Sequence, residues 1–200
     1  MQKTLISIIG STGIGKTKLA IEMAKHFGTE IISCDSRQFF KEMKIGTATP
    51  TDEELAQAKH HFIGHLSVQD YYSIGQYEED ALEKIEEIFE KNDFAVLVGG
   101  SMMYEKAVVE GLNDLPEANE KKKKNLQRIL DEEGLEKLQD ILKNLDEEYY
   151  NVVHKENPRR LLRAIDVIWQ TSRKYSEIIA EPKHKRDFKV VRIGITAPRE

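Results

Sequence analysis

The sequence predicts an α/β fold in which a parallel β-sheet core carries an all-helical insertion. Short, continuous apolar runs rich in β-branched residues recur along the chain, and such runs are typical of strands buried on both faces. Segments with helical periodicity alternate with these runs, which is the order of parallel βαβ units. One long segment toward the carboxyl end has helical periodicity alone, and this change of pattern predicts the insertion.

The first three predicted elements form one βαβ unit. Leu5–Ile9 is an uninterrupted apolar run, and after a glycine-rich turn Lys16–His26 has apolar residues at helical spacing. Glu30–Cys34 is predicted to be the second strand. The unit takes about 30 residues, which is the length that a strand, a crossover helix and a parallel strand require.

The remaining core elements follow the same alternation. A helix is predicted over residues 52–60, and a longer one over Ile74–Lys91 with its apolar residues on one side. Phe94–Val98 is predicted to be a third buried strand, and a helix is expected over Tyr104–Glu110. Val190–Ile195 is the last predicted strand.

The predicted insertion covers residues 115–187 and contains no run typical of a strand. The expected domain organisation is therefore an α/β core from residues 1–114 and 188–200, interrupted by a helical domain. Four amphipathic helices are predicted in the insertion: Lys121–Glu132, Leu135–Leu145, Pro158–Gln170 and Lys174–Ile179.

Composition limits the classes of partner. The chain has 200 residues, a formal net charge of −5, 40% apolar residues and 32% charged residues. This mixture is typical of a globular domain, and a nucleic-acid partner would have to bind to local basic patches. Cys34 is the one cysteine, so an intrachain disulfide is excluded. Neither a secretory leader nor an apolar run of about 20 residues is evident, and a cytoplasmic protein without a membrane span is expected.

A phosphate-binding loop follows the first predicted strand. Its backbone N–H groups and the N-terminus of the next helix are expected to surround phosphate oxygens, as in proteins that bind ATP and other nucleotides. Lys16 supplies a mobile positive charge, and the Thr17 hydroxyl is predicted to contact Mg²⁺. The core is therefore predicted to be a P-loop NTPase-like sheet. Every fixed position of the pattern G-x-x-x-x-G-K-[ST] is filled by the loop residues Gly10, Ser11, Thr12, Gly13, Ile14, Gly15, Lys16 and Thr17.

The loop alone leaves the reaction open, because it binds phosphates whatever group is attached to them. ATP hydrolases and kinases hold Mg²⁺ with an acid at the end of an apolar strand. The third predicted strand is followed by Gly99, Gly100 and Ser101 without such an acid, whereas Asp35 follows the second. Ligands of open α/β sheets bind at the carboxyl ends of the strands, so Asp35 is a candidate site residue.

Further segments carry specific sequences, of which Asp-Ser-Arg-Gln and Ile-Gly-Thr-Ala are the most distinctive. They extend over nearly the whole chain: Gly10–Thr17, Ser33–Gln38, Ile45–Pro50, His60–Phe62, Val98–Tyr104 and Pro158–Ala164. In this order they resemble the tRNA dimethylallyltransferase family, also called the tRNA isopentenyltransferase or IPP transferase family.

The resemblance implies that a dimethylallyl group is transferred from dimethylallyl diphosphate to N6 of the adenine 3′ of the anticodon in a tRNA, giving N6-isopentenyladenosine. The loop would bind the diphosphate, and Lys16 with Mg²⁺ would stabilise the charge that develops on the leaving pyrophosphate. The resemblance also implies that Asp35 takes the proton of the attacking amine. Ser36, Arg37 and Gln38 stand where the family contacts the target nucleotide.

Two positions depart from the usual sequence of the family. Ser101 stands where threonine is usual, and it keeps a hydroxyl group for a hydrogen bond to the diphosphate or the adenine. Ser101 is therefore counted with Lys16 and Asp35 as a catalytic residue. Ile14 places an apolar group in the phosphate loop where a hydroxyl is usual.

Two basic clusters in the insertion are candidates for binding the anticodon stem-loop. Lysines 121–124 open a predicted helix, and Lys123 is taken as the contact there; the alternative is a solvated charge run. In the second cluster Arg159, Arg160 and Arg163 are predicted to project from the polar side of a helix. Arginine forms bidentate contacts with phosphate, and the resembling family uses this segment on its tRNA.

Three alternative functions remain open from the sequence: a small-molecule kinase, an adenylate isopentenyltransferase acting on a free nucleotide, and a truncated, inactive fragment that binds diphosphate or RNA. Family members usually continue beyond the segment that resembles Ile193–Arg199, so the C-terminal part of the family is expected to be missing here. A monomer is expected. His60, His61 and His65 lack the companion acid or cysteine of a zinc site.

Overall fold

A computed structural model describes residues 2–197 and divides into two compact units. The α/β unit consists of Met1–Leu112 and His184–Glu200, and the helical unit consists of Asn113–Lys183. The sequence places these boundaries at residues 115 and 187. Residues 1 and 198–200 of the predicted core, including Arg199 of the last family segment, lie outside the described residues.

The described part of the α/β unit contains one sheet whose strand pairs are all parallel, in the order β3-β2-β4-β1-β5. This arrangement confirms the predicted fold class. The strands are β1 Thr4–Gly10, β2 Ile31–Ser33, β3 His60–His61, β4 Phe94–Gly99 and β5 Lys189–Ile195. The helices of this unit are α1 Lys16–Phe27, α2 Asp52–Leu55, α3 Ile74–Lys91 and α4 Met102–Glu110, and a short 3₁₀ turn covers Lys41–Met43.

The two faces of the sheet bury alternate residues of each strand, as the pleat requires. Leu5 and Leu97 pack on one face, in a cluster that includes α3 and α4 residues. Ile6 and Val98 pack on the other face, in a cluster with α1. The predicted apolar side of α3 is confirmed, since Ala81, Ile85, Ile88 and Phe89 are all buried. Helices therefore cover both faces and leave the carboxyl ends of the strands for the site.

The predicted helix over residues 52–60 is wrong beyond its first turn. The observed helix α2 ends at Leu55, and His60 lies in the short strand β3. His60 is opposite Ile31 and His61 is opposite Ile32 in the parallel pair of β3 with β2. Pairing with the edge of a buried strand satisfies backbone groups that would otherwise lack partners, and it overrides a weak helical pattern.

The helical unit contains α5 Glu120–Leu145, α6 Glu147–Val152, α7 Pro158–Thr171 and α8 Tyr175–Ala180. Gly134 has φ 83° and ψ 179° and interrupts α5, which agrees with the two separate helices that the sequence predicts there. Helix α6 was not predicted, whereas α8, which has the same length of six residues, was. The core of the unit is formed by Leu126, Leu138, Leu142, Val153, Leu161, Ala164, Ile165 and Ile168.

A buried aspartate ties two of these helices together. Asp146 accepts hydrogen bonds from the N–H of Tyr149 at 3.0 Å and from the N–H and hydroxyl of Ser176 at 2.7 and 2.8 Å. Burial raises the pKa of Asp146, but these hydrogen bonds outweigh burial and leave the pKa below its ordinary value.

Within residues 2–197, no helix combines the length and apolar character needed to cross a bilayer.

Candidate active site

The phosphate loop leaves the carboxyl end of β1 and opens helix α1. Gly13 and Gly15 have φ of 80° and 95°, values that glycine adopts more readily than any other residue. No side chain caps α1, and its first turn contains no acidic residue. The neighbouring helices α2 and α3 instead begin with complete capping boxes, at Thr51 and Ser73. The first N–H groups of α1 are thus available to an anion.

Lys16 lies within this loop and is only 9% exposed. Its Nζ donates a hydrogen bond to the carbonyl oxygen of Ser11 at 2.7 Å, so the ammonium group points back along the loop. Burial lowers the pKa of Lys16, and the negative charge of Asp35 acts in the opposite direction. A phosphate bound in the loop would further favour the charged form.

Asp35 follows β2 and reaches toward the loop. Its Oδ1 accepts a hydrogen bond from the N–H of Arg37 at 3.2 Å, and its own N–H donates to Ser33 Oγ at 3.3 Å. A Cβ placed on Gly100 would lie 3.3 Å from Asp35 Oδ2 and 3.8 Å from Thr12 Oγ1. The carboxylate and the loop hydroxyl therefore face the same small space above the end of β4.

The end of β4 has no room for the acid that a kinase would need there. A Cβ on Gly99 would lie 2.6 Å from both the carbonyl carbon and Sγ of Cys34. Cys34 is fully buried, and burial raises the pKa of its thiol far above the ordinary value. The cysteine therefore has a packing role, and the acid of this site follows β2 instead of β4.

Ser101 and Ser36 are joined across the ends of β4 and β2. The N–H of Ser36 donates to Ser101 Oγ at 3.1 Å, and the two hydroxyl oxygens are also 3.1 Å apart. Ser101 is the N-cap residue of α4, yet its side chain does not cap that helix. The Ser101 hydroxyl is thus held beside the residue that follows Asp35.

Gln38 is held by its own chain. Its Nε2 donates to the carbonyl oxygens of Thr47 and Ala48 at 3.2 and 3.0 Å, and its Oε1 accepts from Ser33 Oγ at 3.2 Å. Because Ser33 also accepts from the N–H of Asp35, Gln38 links the segment around Thr47 to the aspartate. The side chain positions the site wall, in addition to any contact with a substrate.

Some of these residues line a cavity of about 300 Å³ at the carboxyl ends of the strands. The expected residues that line it are Thr12, Gly13, Gly15, Lys16, Thr17, Asp35 and Gln38. Its described lining does not include Gly10, Ser11, Ile14, Ser36, Arg37 and Ser101. The lining residues that the sequence did not predict as site residues are Lys18, Ser33, Ala48, Thr49, Pro50, Glu54, His60, Ile63, Val98 and Gly99.

The basic residues of the helical unit that were predicted to bind tRNA differ in how far they bind other residues of the chain. Arg159 and Arg160 are exposed, as is Lys123, which lies 3.4 Å from Glu120. Arg163 departs from the expectation of a projecting side chain. Its guanidinium donates to the carbonyl oxygen of Pro116 at 2.6 Å and to the buried carboxylate of Asp166 at 3.3 Å.

Comparison with known proteins decides the family. The family model described as IPP transferase matches residues 38–200. The chain belongs to the IPP transferase family. It is 50% identical over its whole length to the tRNA dimethylallyltransferase of Christiangramia forsetii, and 47% identical over 99% of its length to that of Flavobacterium johnsoniae. The chain spans 66% of the length of each of these relatives.

Solved structures agree with this assignment. A eukaryotic dimethylallyltransferase described as acting on tRNA matches with a TM-score of 0.82 and 26% identity, over 96% of this chain and 48% of its own. The tRNA isopentenylpyrophosphate transferase of Bacillus halodurans matches with a TM-score of 0.59 and 31% identity, over 97% of this chain and 60% of its own. The predicted family and the P-loop NTPase-like fold class are thereby confirmed.

The signal for some of the missed residues was present in the sequence. Thr49, Pro50 and His60 lie in segments that carry the family resemblance, although only their tertiary placement brings them to the cavity. His60 Nδ1 lies 2.8 Å from the carbonyl oxygen of Ala58, and its Nε2 is buried with no partner among the described residues. Burial lowers the pKa of His60, which favours a neutral ring in the cavity wall.

Proposed function

We propose that this chain acts as a tRNA dimethylallyltransferase, which transfers a dimethylallyl group from dimethylallyl diphosphate to N6 of the adenine 3′ of the anticodon. The observation that carries the proposal is that an acid and an intact phosphate loop line the same cavity. Asp35 comes from β2, and the loop comes from β1. The names of the related proteins support the same substrate and the same transfer.

The phosphate loop binds the diphosphate of the donor. The N–H groups at the start of α1 face its oxygens, because no side chain caps them. Lys16 turns from its hydrogen bond with Ser11 toward the phosphate oxygens. These donors are more strongly engaged as negative charge grows on the leaving pyrophosphate, and this difference lowers the barrier.

The residues present fit a Mg²⁺ ion that arrives with the diphosphate. Mg²⁺ is usually bound by few protein groups together with substrate phosphates and water. Within residues 2–197, no group of three or more histidine, cysteine, aspartate or glutamate side chains is placed to hold a metal, whereas Thr17 and Asp35 both line the cavity. Thr17 would hold the ion, which neutralises charge on the leaving group when bound.

Asp35 receives the acceptor amine. In the transfer, the N6 nitrogen forms a bond to C1 of the dimethylallyl group while the C1–O bond to the diphosphate breaks. Pyrophosphate leaves with the electron pair of that bond, and the proton of the amine goes to the Asp35 carboxylate. The N–H of Arg37 and the N–H contact with Ser33 hold the aspartate in place for this step.

Ser101 and Ser36 complete the acceptor side of the site. Their hydroxyl groups form one hydrogen-bonded pair beside Asp35, and either can turn to the adenine or to the bridging oxygen of the diphosphate. The loss of the methyl group of threonine at position 101 leaves this hydroxyl freer to rotate. Ser101 thereby orients the acceptor, while Arg37 and Gln38 border the nucleotide.

The helical unit contributes cations that bind the anticodon stem-loop. Arg159, Arg160 and Lys123 are exposed and suit backbone phosphates, whereas Arg163 supports the unit itself. With tRNA as the substrate, the reaction belongs in the cytoplasm, and one copy of the chain supplies all the proposed groups. A monomer is the state we propose, and sedimentation of the free chain tests it.

The test is to incubate the chain with unmodified tRNA, Mg²⁺ and dimethylallyl diphosphate, and to look for N6-isopentenyladenosine by mass after digestion of the RNA. Lys16→Ala should lower the rate by roughly 10²–10³, and Asp35→Asn should lower it by about 10²–10⁴. Lys25→Ala is the matched control, because Lys25 lies on the same helix, does not line the cavity, and donates a side-chain hydrogen bond to Gln57. ATP consumption with a small acceptor, together with no prenylated RNA, would contradict the proposal.

A further inference from the structure

The loop of residues 37–46, here called the entrance loop, holds apolar side chains out into solvent. Ile45 is 98% exposed and Met43 is 37% exposed. A large apolar side chain that is almost completely exposed gains nothing from burial within its own fold. A single exposed apolar side chain is common on protein surfaces, so a role for Ile45 has to be argued from its surroundings.

The entrance loop is fixed by hydrogen bonds at both ends and in its middle. Thr47 Oγ1 donates to the carbonyl oxygen of Met43 at 2.6 Å, and Gln38 Nε2 donates to two carbonyl oxygens that follow the loop. Glu42 accepts from Ser67 Oγ at 2.9 Å and from the N–H of Val68 at 3.1 Å. Ile45 is therefore presented by an ordered scaffold.

Positive charges outnumber negative charges on the entrance loop. Arg37, Lys41 and Lys44 are exposed, and none forms an ion pair with another residue of the described chain. The acid of this loop, Glu42, accepts hydrogen bonds from Ser67 Oγ and the N–H of Val68 and keeps its negative charge, so the loop carries three positive charges and one negative charge. A phosphodiester backbone passing Ile45 would meet three cations within nine residues of sequence.

The entrance loop borders a groove that leads to the proposed active site. The groove has a volume of about 710 Å³, with Lys41 and Lys44 on the side of the loop. Asp52 and Glu53 from the first turn of α2 also line the groove. The groove and the cavity that contains Asp35 share the wall residues Thr49, Pro50 and Ile63, so the two spaces are neighbours.

We propose that the entrance loop is an RNA-contacting surface, in which Ile45 fills the place in the base stack that the target adenine leaves. Lys41 and Lys44 bind the phosphates that flank that adenine. This inference rests on the proposed function, because only an acceptor base in an RNA loop has to leave a stack to reach Asp35. Proteins that open a base stack commonly insert an apolar side chain, and enzymes that act on a base must extrude it.

The two walls of the groove cooperate in this arrangement. Asp52 and Glu53 repel the phosphodiester backbone and restrict it to the side of the lysines. Neutralising the acids should therefore strengthen RNA binding while it weakens the preference for one orientation. Removing the lysines should weaken binding without affecting the diphosphate, because they are not among the residues that line the phosphate cavity.

The decisive experiment uses the full chain and an anticodon stem-loop RNA with 2-aminopurine at the target position. Wild-type protein should raise the fluorescence as the base leaves the stack. Ile45→Ala should reduce that rise and lower kcat/KM for the RNA by about tenfold, the scale of one lost stacking contact. Val152→Ala is the matched control, because Val152 is 76% exposed and lies in the helical unit.

The lysines have a separate readout in salt dependence. Lys41→Ala with Lys44→Ala should lower the slope of log affinity against log salt by about 1.4, since each phosphate contact to a single strand contributes about 0.7. Lys91→Ala, on the exposed side of α3, should leave the slope unchanged. Thermal stabilisation by inorganic diphosphate should persist in every variant and shows that the phosphate loop is intact.

The outcomes separate this inference from the function on which it rests. If wild-type protein forms prenylated RNA and Ile45→Ala leaves both fluorescence and kcat/KM unchanged, the inference is wrong and the proposed function stands. If wild-type protein neither prenylates nor binds the stem-loop but is stabilised by diphosphate, both are overturned.

Discussion

The helices that leave the carboxyl ends of β1 and β4 begin differently from α5, α6 and α7 of the helical unit, although α2 and α3 have capping boxes and α8 has no side-chain cap. In the α/β unit, the helices that follow β1 and β4 begin at Gly15 and Ser101 without a side-chain cap. In the helical unit, α5, α6 and α7 begin at Asn119, Asp146 and Asn157, and each of these side chains accepts from backbone N–H groups. The first arrangement leaves donors for a ligand, and the second uses them for stability.

The difference shows which interactions fix the geometry of each unit. The α/β unit relies on close backbone approach at the ends of its strands, where glycine is the residue that fits. The helical unit relies on side chains that satisfy backbone groups and on buried carboxylates. Substitutions should therefore be most damaging at different kinds of position in the two units.

The largest effect is expected at the close approach of β2 and β4. Gly99→Ala would place a methyl group 2.6 Å from Cys34 and 2.7 Å from the N–H nitrogen of Asp35, and these are backbone atoms or a buried sulfur. We expect a loss of about 3 kcal/mol in the free energy of unfolding, with loss of diphosphate binding.

Gly194→Ala is the control for this substitution, because a methyl group there meets no atom within 4 Å. Chemical denaturation of both variants is the measurement. Equal free energies of unfolding for the two variants would show that β2 and β4 can move apart at their ends without loss of stability. That result would contradict the proposed difference between the two units.

The next effect is expected at the capping aspartate of the helical unit. Asp146→Ala removes acceptors for the N–H of Tyr149 and for two donors of Ser176. A destabilisation of about 2 kcal/mol is expected from the lost cap and the unpaired buried donors. Asp140→Ala, at an exposed position of α5, should change stability by less than about 0.5 kcal/mol.

The pH dependence gives Asp146 a second signature. Its pKa in the folded state is lower than the ordinary value of 3.8, so the unfolded state binds the proton more tightly. The stability that ionised Asp146 contributes is therefore fully present above that value and is lost as the pH falls through the lower folded pKa. Denaturation curves of wild type and Asp146→Asn should converge below pH 3.8, and parallel curves would contradict the assignment.

The smallest effect distinguishes two arginines on one helix. Arg163→Ala leaves the Asp166 carboxylate with Gln170 as its remaining donor, at 3.0 Å, and should destabilise the helical unit by about 1 kcal/mol. Arg159→Ala should leave stability unchanged but reduce the salt slope of RNA binding by about 0.7. Thermal unfolding measures the stability of each variant, and RNA titration at several salt concentrations measures the slope. Identical behaviour of the two variants would contradict the different roles of the two arginines.

Much of the fold followed from local sequence patterns. Apolar runs correctly predicted four of the five strands among the described residues. For β1, β2 and β4 the reason is burial on both faces, which favours apolar side chains at nearly every position. The side chains of β5 are exposed or half-buried. The phosphate loop was recognisable because its glycines and its lysine are close in sequence. The strand β3 was missed, since two residues at a sheet edge carry no periodic signal of their own.

The partners of polar and charged side chains could be predicted less well from the sequence. Gln38 was expected to contact RNA, and the structure shows its amide bonded to Thr47 and Ala48. Arg163 was grouped with Arg159 and Arg160, yet its partner Pro116 lies 47 positions away in sequence. A side chain with several donors can bind a ligand or its own backbone, and only the distances between distant segments decide between these.

The sequence by itself therefore determined the class of fold, the phosphate loop and the family, because each depends on residues that are neighbours along the chain. The tertiary structure decided which acid faces the loop, which cations remain available and which apolar side chain is left in solvent at the cavity entrance. Those outcomes depend on contacts between segments far apart in sequence. Hydrogen bonds and burial act through space, so a residue type reports what a side chain can do, and its surroundings select what it does.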